Sequence, residues 1–187
     1  MRLEEWIDGK FEESETDYKI ARLNILYKEE ESYLKKGVEL LCDEVKPKSV
    51  LEFGFGKGWT ASEFQKYGID RHIILEPNKE VYQMALDWKE SYNTDIEILN
   101  MFSWDFETDE RFDLVYDDRE PFTDDDGDDN NHFAHMKNIL PKEQWYSRNA
   151  TITCNNSAKV PYDYAIEFIL NDIGYKQHLT KGFYGNY

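Results

Sequence analysis

Between residues 50 and 116, short apolar runs alternate with segments of helical spacing. The runs 50–53, 72–75, 96–99 and 112–116 are rich in Val, Ile, Leu and Phe, as buried strands are. Helical patterns fill 60–67 and 80–92 between them. Further on, 132–140 and 162–171 read as helices, 151–154 as a strand and 177–180 as a short last strand. Strands alternating with helices predict an α/β fold with a doubly wound, mainly parallel sheet. Right-handed crossovers then put the first strand at a switch point, with function at the carboxyl ends of the strands. Upstream, Ile20, Leu23, Leu26, Tyr27, Leu34, Val38 and Leu41 recur at helical spacing, so 18–44 is expected as helix, in one or two parts. Pro47 ends it before the first strand. Residues 1–17 are charged and lack strong periodicity. They are expected as an arm or lid, anchored by Trp6, Ile7 and Phe11, with 18–187 forming a single domain.

The last stretch, 175–187, is long enough for one strand and a tail, but not for a hairpin of two full strands. A shortened C-terminal strand region and an open sheet edge follow. The aromatic end, Phe183, Tyr184 and Tyr187, suits either packing across a weak homodimer or folding back onto its own sheet.

Charge narrows the partners. A net charge of −17 opposes binding to nucleic-acid phosphates, which calls for a basic face. It suits a cationic small molecule or a basic protein segment, and it also serves plain solubility. Cys42 and Cys154 lie far apart and have no neighbours at metal-ligand spacing, so neither a disulfide framework nor a zinc site is expected. No apolar run is long enough to span a membrane, and the N-terminus has no signal-peptide core, so the expected location is cytoplasmic. The acidic run 123–131 lacks the glutamate and flanking helices of a calcium loop, and reads as a solvated loop rather than a metal site.

The chemistry concentrates after the first of the alternating strands. Gly54, Gly56 and Gly58 permit a sharp turn that lies close against a ligand. The next strand ends on the acid Glu76, about 20 residues on, where a nucleoside site places the acid that grips ribose hydroxyls. A dinucleotide fingerprint, G-x-G-x-x-G, seats a pyrophosphate. Here the third glycine comes one residue early and the acid Glu52 precedes the turn, which would repel a pyrophosphate. The arrangement suits a cationic ligand carrying an amino group, namely S-adenosylmethionine, and it resembles motif I of the class I methyltransferases. Candidate cofactor contacts are Glu52, Gly54, Phe55, Gly56, Gly58, Glu76, Pro77, Asn78, Ser103, Trp104 and Asp117. Ser103 and Trp104, after the third strand, are placed to frame an adenine, although Trp104 equally suits the core.

Asp117, after the fourth strand, is the catalytic candidate. Methyl transfer to an amine needs the nucleophile held in line and a proton removed. A carboxylate beside the methyl donor can orient an amino substrate and take that proton. Asp118 joins it as a candidate substrate contact, while on its own it reads as a surface acid. The N-P-P-Y or D-P-P-Y run of amino-methylating DNA enzymes and the Pro-Cys dipeptide of cytosine carbon methylation are both missing.

A narrower resemblance runs over residues 45–160. The Gly54-Phe55-Gly56 turn, the segment from Gly68 through Ile69, Asp70 and His72 to Glu76 and Asn78, and the helix carrying Asp87 and Trp88 are similar to guanidinoacetate N-methyltransferase and the related fungal-type arginine methyltransferase. Trp104-Asp105, Tyr116-Asp117, Lys137-Asn138 and Cys154-Asn155 continue it. The resemblance implies that Glu76 binds the ribose, that the segment at Trp104 borders the adenine and that Asp117 binds and deprotonates a guanidino or amino nitrogen. It also implies that backbone at Asn155 and Asn156 meets a substrate carboxylate. That family has a second acid in the helix before the first strand. Tyr27 falls at or near its place, with Glu29, Glu30 and Glu31 just beyond. The family's Y-D-T-Y-P is replaced by Tyr116, Asp117, Asp118, Arg119, Glu120 and Pro121, and its L-K-P-G-G by Leu140, Pro141, Lys142, Glu143 and Gln144. The expected function is therefore an S-adenosylmethionine-dependent N-methyltransferase acting on a small amine or guanidino compound. The alternatives are a methyltransferase of a basic protein side chain and a non-catalytic S-adenosylmethionine-binding protein.

Overall fold

The computed structural model describes residues 3–117 and 146–154. At its centre is a parallel sheet of five strands: β4 (Ser49–Phe53), β5 (Arg71–Leu75), β6 (Asp95–Leu99), β7 (Phe112–Asp117) and β8 (Tyr146–Cys154), in the order β6-β5-β4-β7-β8. The chain winds outward from β4 through α3 (Trp59–Lys66) to β5, then through α4 (Lys79–Lys89) to β6. It returns to the other side of β4 as β7. Winding thus reverses at β4, and the expected α/β architecture and switch point are both present.

Both faces of this sheet are buried, which explains the near-continuous apolar runs. Val50 and Leu114 pack with Val38, Leu41 and Phe64, which joins one face to α3 and to α2 (Glu31–Val45). Leu51, Phe53, Ile73, Leu75 and Val115 pack on the other face with Phe106 and Phe112. Cys42 is buried in the first of these clusters, and burial pushes its thiol up to about 12. Among the described residues no helix is long and apolar enough to cross a membrane.

The segment before α2 departs from expectation. Residues 18–44 are not helical throughout. β2 (Asp17–Ile20) and β3 (Leu23–Tyr27) form a hairpin, a one-turn 3-10 helix (Lys28–Glu30) follows, and only then does α2 begin. Ile20 pairs with Leu23, so Ala21 and Arg22 alone make the turn. Ala21 takes φ +54°, a left-handed conformation that no helix interior would hold. Spacings of three residues among Ile20, Leu23 and Leu26 imitate a helical face, whereas Tyr18, Ile20, Ile25 and Tyr27 are β-branched or aromatic and suit strands. The place where the family's second acid was sought thus falls at the end of β3, where Tyr27 is exposed.

The first residues are ordered into the same unit. α1 (Leu3–Ile7) leads to β1 (Phe11–Glu13), which pairs with β2 in a three-stranded sheet, β1-β2-β3, that draws on both sides of residue 17. Trp6 and Ile20 enter the core beside Phe55, Ile74 and Val81. One buried side chain ties this unit to the main sheet. Asn78 Oδ1 accepts from the backbone N–H of Glu80 and Val81, which caps α4. Its Nδ2 donates to the Trp6 carbonyl at 2.6 Å and to the Gly9 carbonyl at 2.8 Å. Phe11 N–H adds a bond to Glu80 Oε2 at 2.8 Å.

Asn78→Ala should remove the cap, take the donor from the Gly9 carbonyl and leave the Trp6 carbonyl with only its bond from Gly9 N–H. The expected loss is about 2–3 kcal/mol of stability in urea unfolding. Protease cleavage within residues 3–13 should speed up in the same variant. Wild-type stability and cleavage would contradict the clamp.

Candidate functional site

At the carboxyl end of β4 the chain reverses through three glycines with positive φ: Gly54 at 86°, Gly56 at 54° and Gly58 at 68°. Space as well as backbone conformation excludes a side chain at two of them. A Cβ on Gly56 would stand 2.8 Å from Leu26 Cδ1, and one on Gly58 would stand 2.5 Å from the Phe55 ring. The turn is thereby pressed between the N-terminal hairpin and its own phenylalanine.

Glu76, just past β5, braces the turn from beside it. Its Oε2 accepts from Phe55 N–H at 2.9 Å and its Oε1 from Asn78 N–H at 2.8 Å. The carboxylate is buried, and burial pushes it up to about 7 despite the opposing bonds from the N–H groups of Phe55, Asn78 and Gly56. An ionised carboxylate has about four acceptor positions. Three of them are engaged by the N–H groups of Phe55, Asn78 and Gly56, which leaves one for a hydroxyl donor.

A cavity of about 740 Å³, counting the solvent at its mouth, crosses the carboxyl ends of β4, β5 and β6. Its wall includes Phe53, Gly54, Phe55 and Gly56 after β4, Leu75, Glu76 and Pro77 at β5, and Phe102 and Ser103 after β6. Trp6, Ile20, Ile25, Leu26 and Leu34 add apolar surface from the N-terminal unit and α2. The arrangement can hold an elongated ligand with an apolar body, offering an acid midway for hydroxyls.

Not every expected contact faces this cavity. Gly54, Phe55, Gly56, Glu76, Pro77 and Ser103 do; Glu52, Gly58, Asn78, Trp104 and Asp117 are not among its lining residues. Glu52 is fully buried and accepts from the Thr60 hydroxyl. His72 Nε2 lies 2.9 Å from Glu52 Oε2, in contact but not aligned as a hydrogen bond. Gln65 holds this histidine: its Oε1 accepts from Thr94 and its Nε2 lies 3.0 Å from His72 Nδ1. The charge of Glu52 thus faces inward, into a polar chain that joins β4, β5 and α3. Gly58 caps α3, and Asn78 is engaged by the clamp. Trp104 stacks on Phe102 with centroids 4.3 Å apart. Asp117 ends β7 fully buried, in register with Phe53 on one side and Cys154 on the other. Asp118, Asn155, Asn156 and the acidic run 123–131 lie outside the described residues, as does the expected C-terminal edge. Lys57, Trp59, Thr60 and Phe102 also line the cavity and are not among the contacts expected from the sequence, although each lies within two residues of one that is. Sequence reasoning missed the hairpin's contribution, because Ile20 and Leu26 had been assigned to a helix.

A family model described as Guanidinoacetate N-methyltransferase matches residues 3–156. Among solved structures, a Haemophilus influenzae protein assigned as a methylase aligns with a TM-score of 0.54 at 19% identity, over 70% of this chain and 82% of its own. A Podospora anserina methyltransferase with bound S-adenosylhomocysteine aligns with a TM-score of 0.51 at 16% identity, over 74% of this chain and 63% of its own. The 1,6-didemethyltoxoflavin-N1-methyltransferase of Burkholderia thailandensis, with its substrate and S-adenosylhomocysteine, gives 0.50 at 14% identity, over 67% and 52%. This chain therefore spans less than two thirds of the last two, and all three share its fold. A search of curated proteins found no significant match.

The buried carboxyl at position 76 should be visible in the stability of the ligand-free protein. Its folded-state value, about 7, lies above the ordinary 4.5, so folding favours the protonated form. That stabilisation is complete below about pH 4.5 and is lost as pH rises through 7. Relative to Glu76→Gln, the wild type should lose about 2–3 kcal/mol between pH 5 and pH 8 in urea unfolding. A difference that stays constant across this range would contradict the shift.

Proposed function

The chain belongs to the guanidinoacetate N-methyltransferase family, and from that premise we propose that it methylates a nitrogen of a small amine or guanidino compound, with Asp117 as the base. The reaction class is S-adenosylmethionine-dependent methyl transfer. When bound, the cofactor supplies an electrophilic methyl group on a sulfonium; the protein's residues have to bind, orient and deprotonate.

The residues present fit such a ligand. Glu76, buried but with acceptor capacity left, would take a ribose hydroxyl. Phe102 and Ser103 would border the base, with Trp104 stiffening Phe102 from behind. The turn at Gly54 and Gly56 would lie against the amino-acid end. Glu52 is assigned a positioning role in this reading. Its bond from Thr60 and its contact with His72 hold β4, β5 and the start of α3 in register beneath the turn.

The substrate reading rests on one observation. Asp117 is a fully buried carboxylate at the carboxyl end of β7, in register with Phe53, which lines the cavity. A group there would orient a cationic or amino nitrogen and accept the proton that nitrogen loses on methylation. Asp118, Asn155 and Asn156 remain candidates for the rest of the substrate contacts.

Asp117→Asn keeps the size of the side chain and removes the base. It should cut methyl transfer by about 10²–10⁴-fold while S-adenosylhomocysteine still binds in calorimetry. The assay reads S-adenosylhomocysteine formed with guanidinoacetate, arginine and simple primary amines, and with lysine- and arginine-rich peptides. Turnover confined to the peptides would replace the small-molecule reading with a protein one. Unchanged turnover in the Asn variant would remove Asp117 from the mechanism.

A further inference from the structure

The cavity wall contains two ionisable side chains among the described residues, Glu76 and Lys57. Glu76 is turned toward backbone amides and suits neutral hydroxyl donors. Lys57 lies within the tight turn, between Gly56 and Gly58, and so sits at the β4 end of the cavity. Its Nζ lies 5.1 Å from the centroid of the Tyr18 ring and 5.6 Å from that of Phe11. These two rings stack on each other with centroids 5.6 Å apart, and Tyr18 meets Trp59, another lining residue, edge-on.

What distinguishes Lys57 is that no carboxylate is bonded to it; Glu13, whose carboxylate is bonded to Lys28, feels its charge only from a distance. The chain has 39 acidic and 22 basic residues, so a lysine readily finds a carboxylate. Lys28, over the same Tyr18 ring, lies 2.7 Å from Glu13. Among the described residues no carboxylate lies within ion-pair distance of Lys57. Aromatic faces attract an ammonium without neutralising it. The rings of β1 and β2 therefore hold a cation at the cavity wall with no acid bonded to it.

The order of strands fixes which end of a ligand meets it. Phe102 and Ser103 stand after β6, Glu76 after β5 and Lys57 after β4, and these strands are neighbours in that order. With the ribose at Glu76 and the base toward β6, the amino-acid end of the ligand points to β4. That end carries an α-carboxylate and an α-ammonium, and Lys57 attracts the first and repels the second.

We propose that Lys57, held by Phe11 and Tyr18, anchors the α-carboxylate of S-adenosylmethionine and so makes the N-terminal sheet part of the cofactor site. This inference rests on the cofactor reading above. The test compares two probes by calorimetry on the full chain: S-adenosylhomocysteine, and 5′-methylthioadenosine, which keeps the nucleoside and thioether but has no amino-acid end. Lys57→Met keeps an apolar stem against the rings and removes the charge. It should weaken S-adenosylhomocysteine by about ten- to a hundred-fold, as loss of a charge-assisted bond does, and leave 5′-methylthioadenosine within about two-fold. Lys57→Arg should restore most of the S-adenosylhomocysteine affinity. Equal losses for both probes, or no loss for S-adenosylhomocysteine, would overturn the anchor. If the wild type binds neither probe, the cofactor reading itself fails, and the anchor with it.

Discussion

The site depends on a carboxylate with almost no access to water. Glu76 brings a charge into the interior, and that would cost several kcal/mol without compensation. Compensation comes from the backbone N–H groups of Phe55, Gly56 and Asn78. Two of these belong to the glycine turn after β4 and one to the start of α4. One side chain therefore sets the distance between two loops on neighbouring strands, and it does so where the cavity crosses them. The glycines follow from this constraint, because only a backbone with positive φ can bring those N–H groups round to the acid while lying flat against Leu26.

The N-terminal unit is tied to the same point. Asn78 donates its N–H to Glu76 and its amide hydrogens to the carbonyls of Trp6 and Gly9, while its side-chain oxygen accepts from the first N–H groups of α4. A unit that looks peripheral in the chain order is thus registered on the acid at the cavity wall. Its rings also carry Lys57. Loss of this unit's seat would disturb an apolar wall, a charge and the turn together.

The main sheet was legible in the sequence because its strands are buried on both faces. Runs such as 72–75 and 96–99 match the observed β5 and β6 to within a residue, with Arg71 and Asp95 before them and Glu76 and Asn100 after them. The hairpin was not legible, since Ile20, Leu23 and Leu26 satisfy a helical period and nothing local reveals that Ala21 adopts a left-handed turn. The glycine turn and Glu76 were legible as a pair because their spacing is set by one strand and one helix. The orientation of Glu52 was not. In the parallel register Val50 stands opposite His72, which puts Glu52 diagonally beside that histidine on the same face, and register is a tertiary fact. Lys57 was hidden for a similar reason: its meaning depends on rings more than thirty residues earlier in the chain.

The central claim is that Glu76 converts from a brace for the turn into the ribose acceptor without leaving its amide partners. A crystal structure with S-adenosylhomocysteine tests it most directly. The account predicts a ribose hydroxyl within hydrogen-bond distance of the Glu76 carboxylate, the base beside Phe102 and Ser103, and the bonds from Phe55 and Asn78 retained. A nucleoside bound away from Glu76, or a Glu76 side chain that must abandon both amides to reach it, would contradict the account.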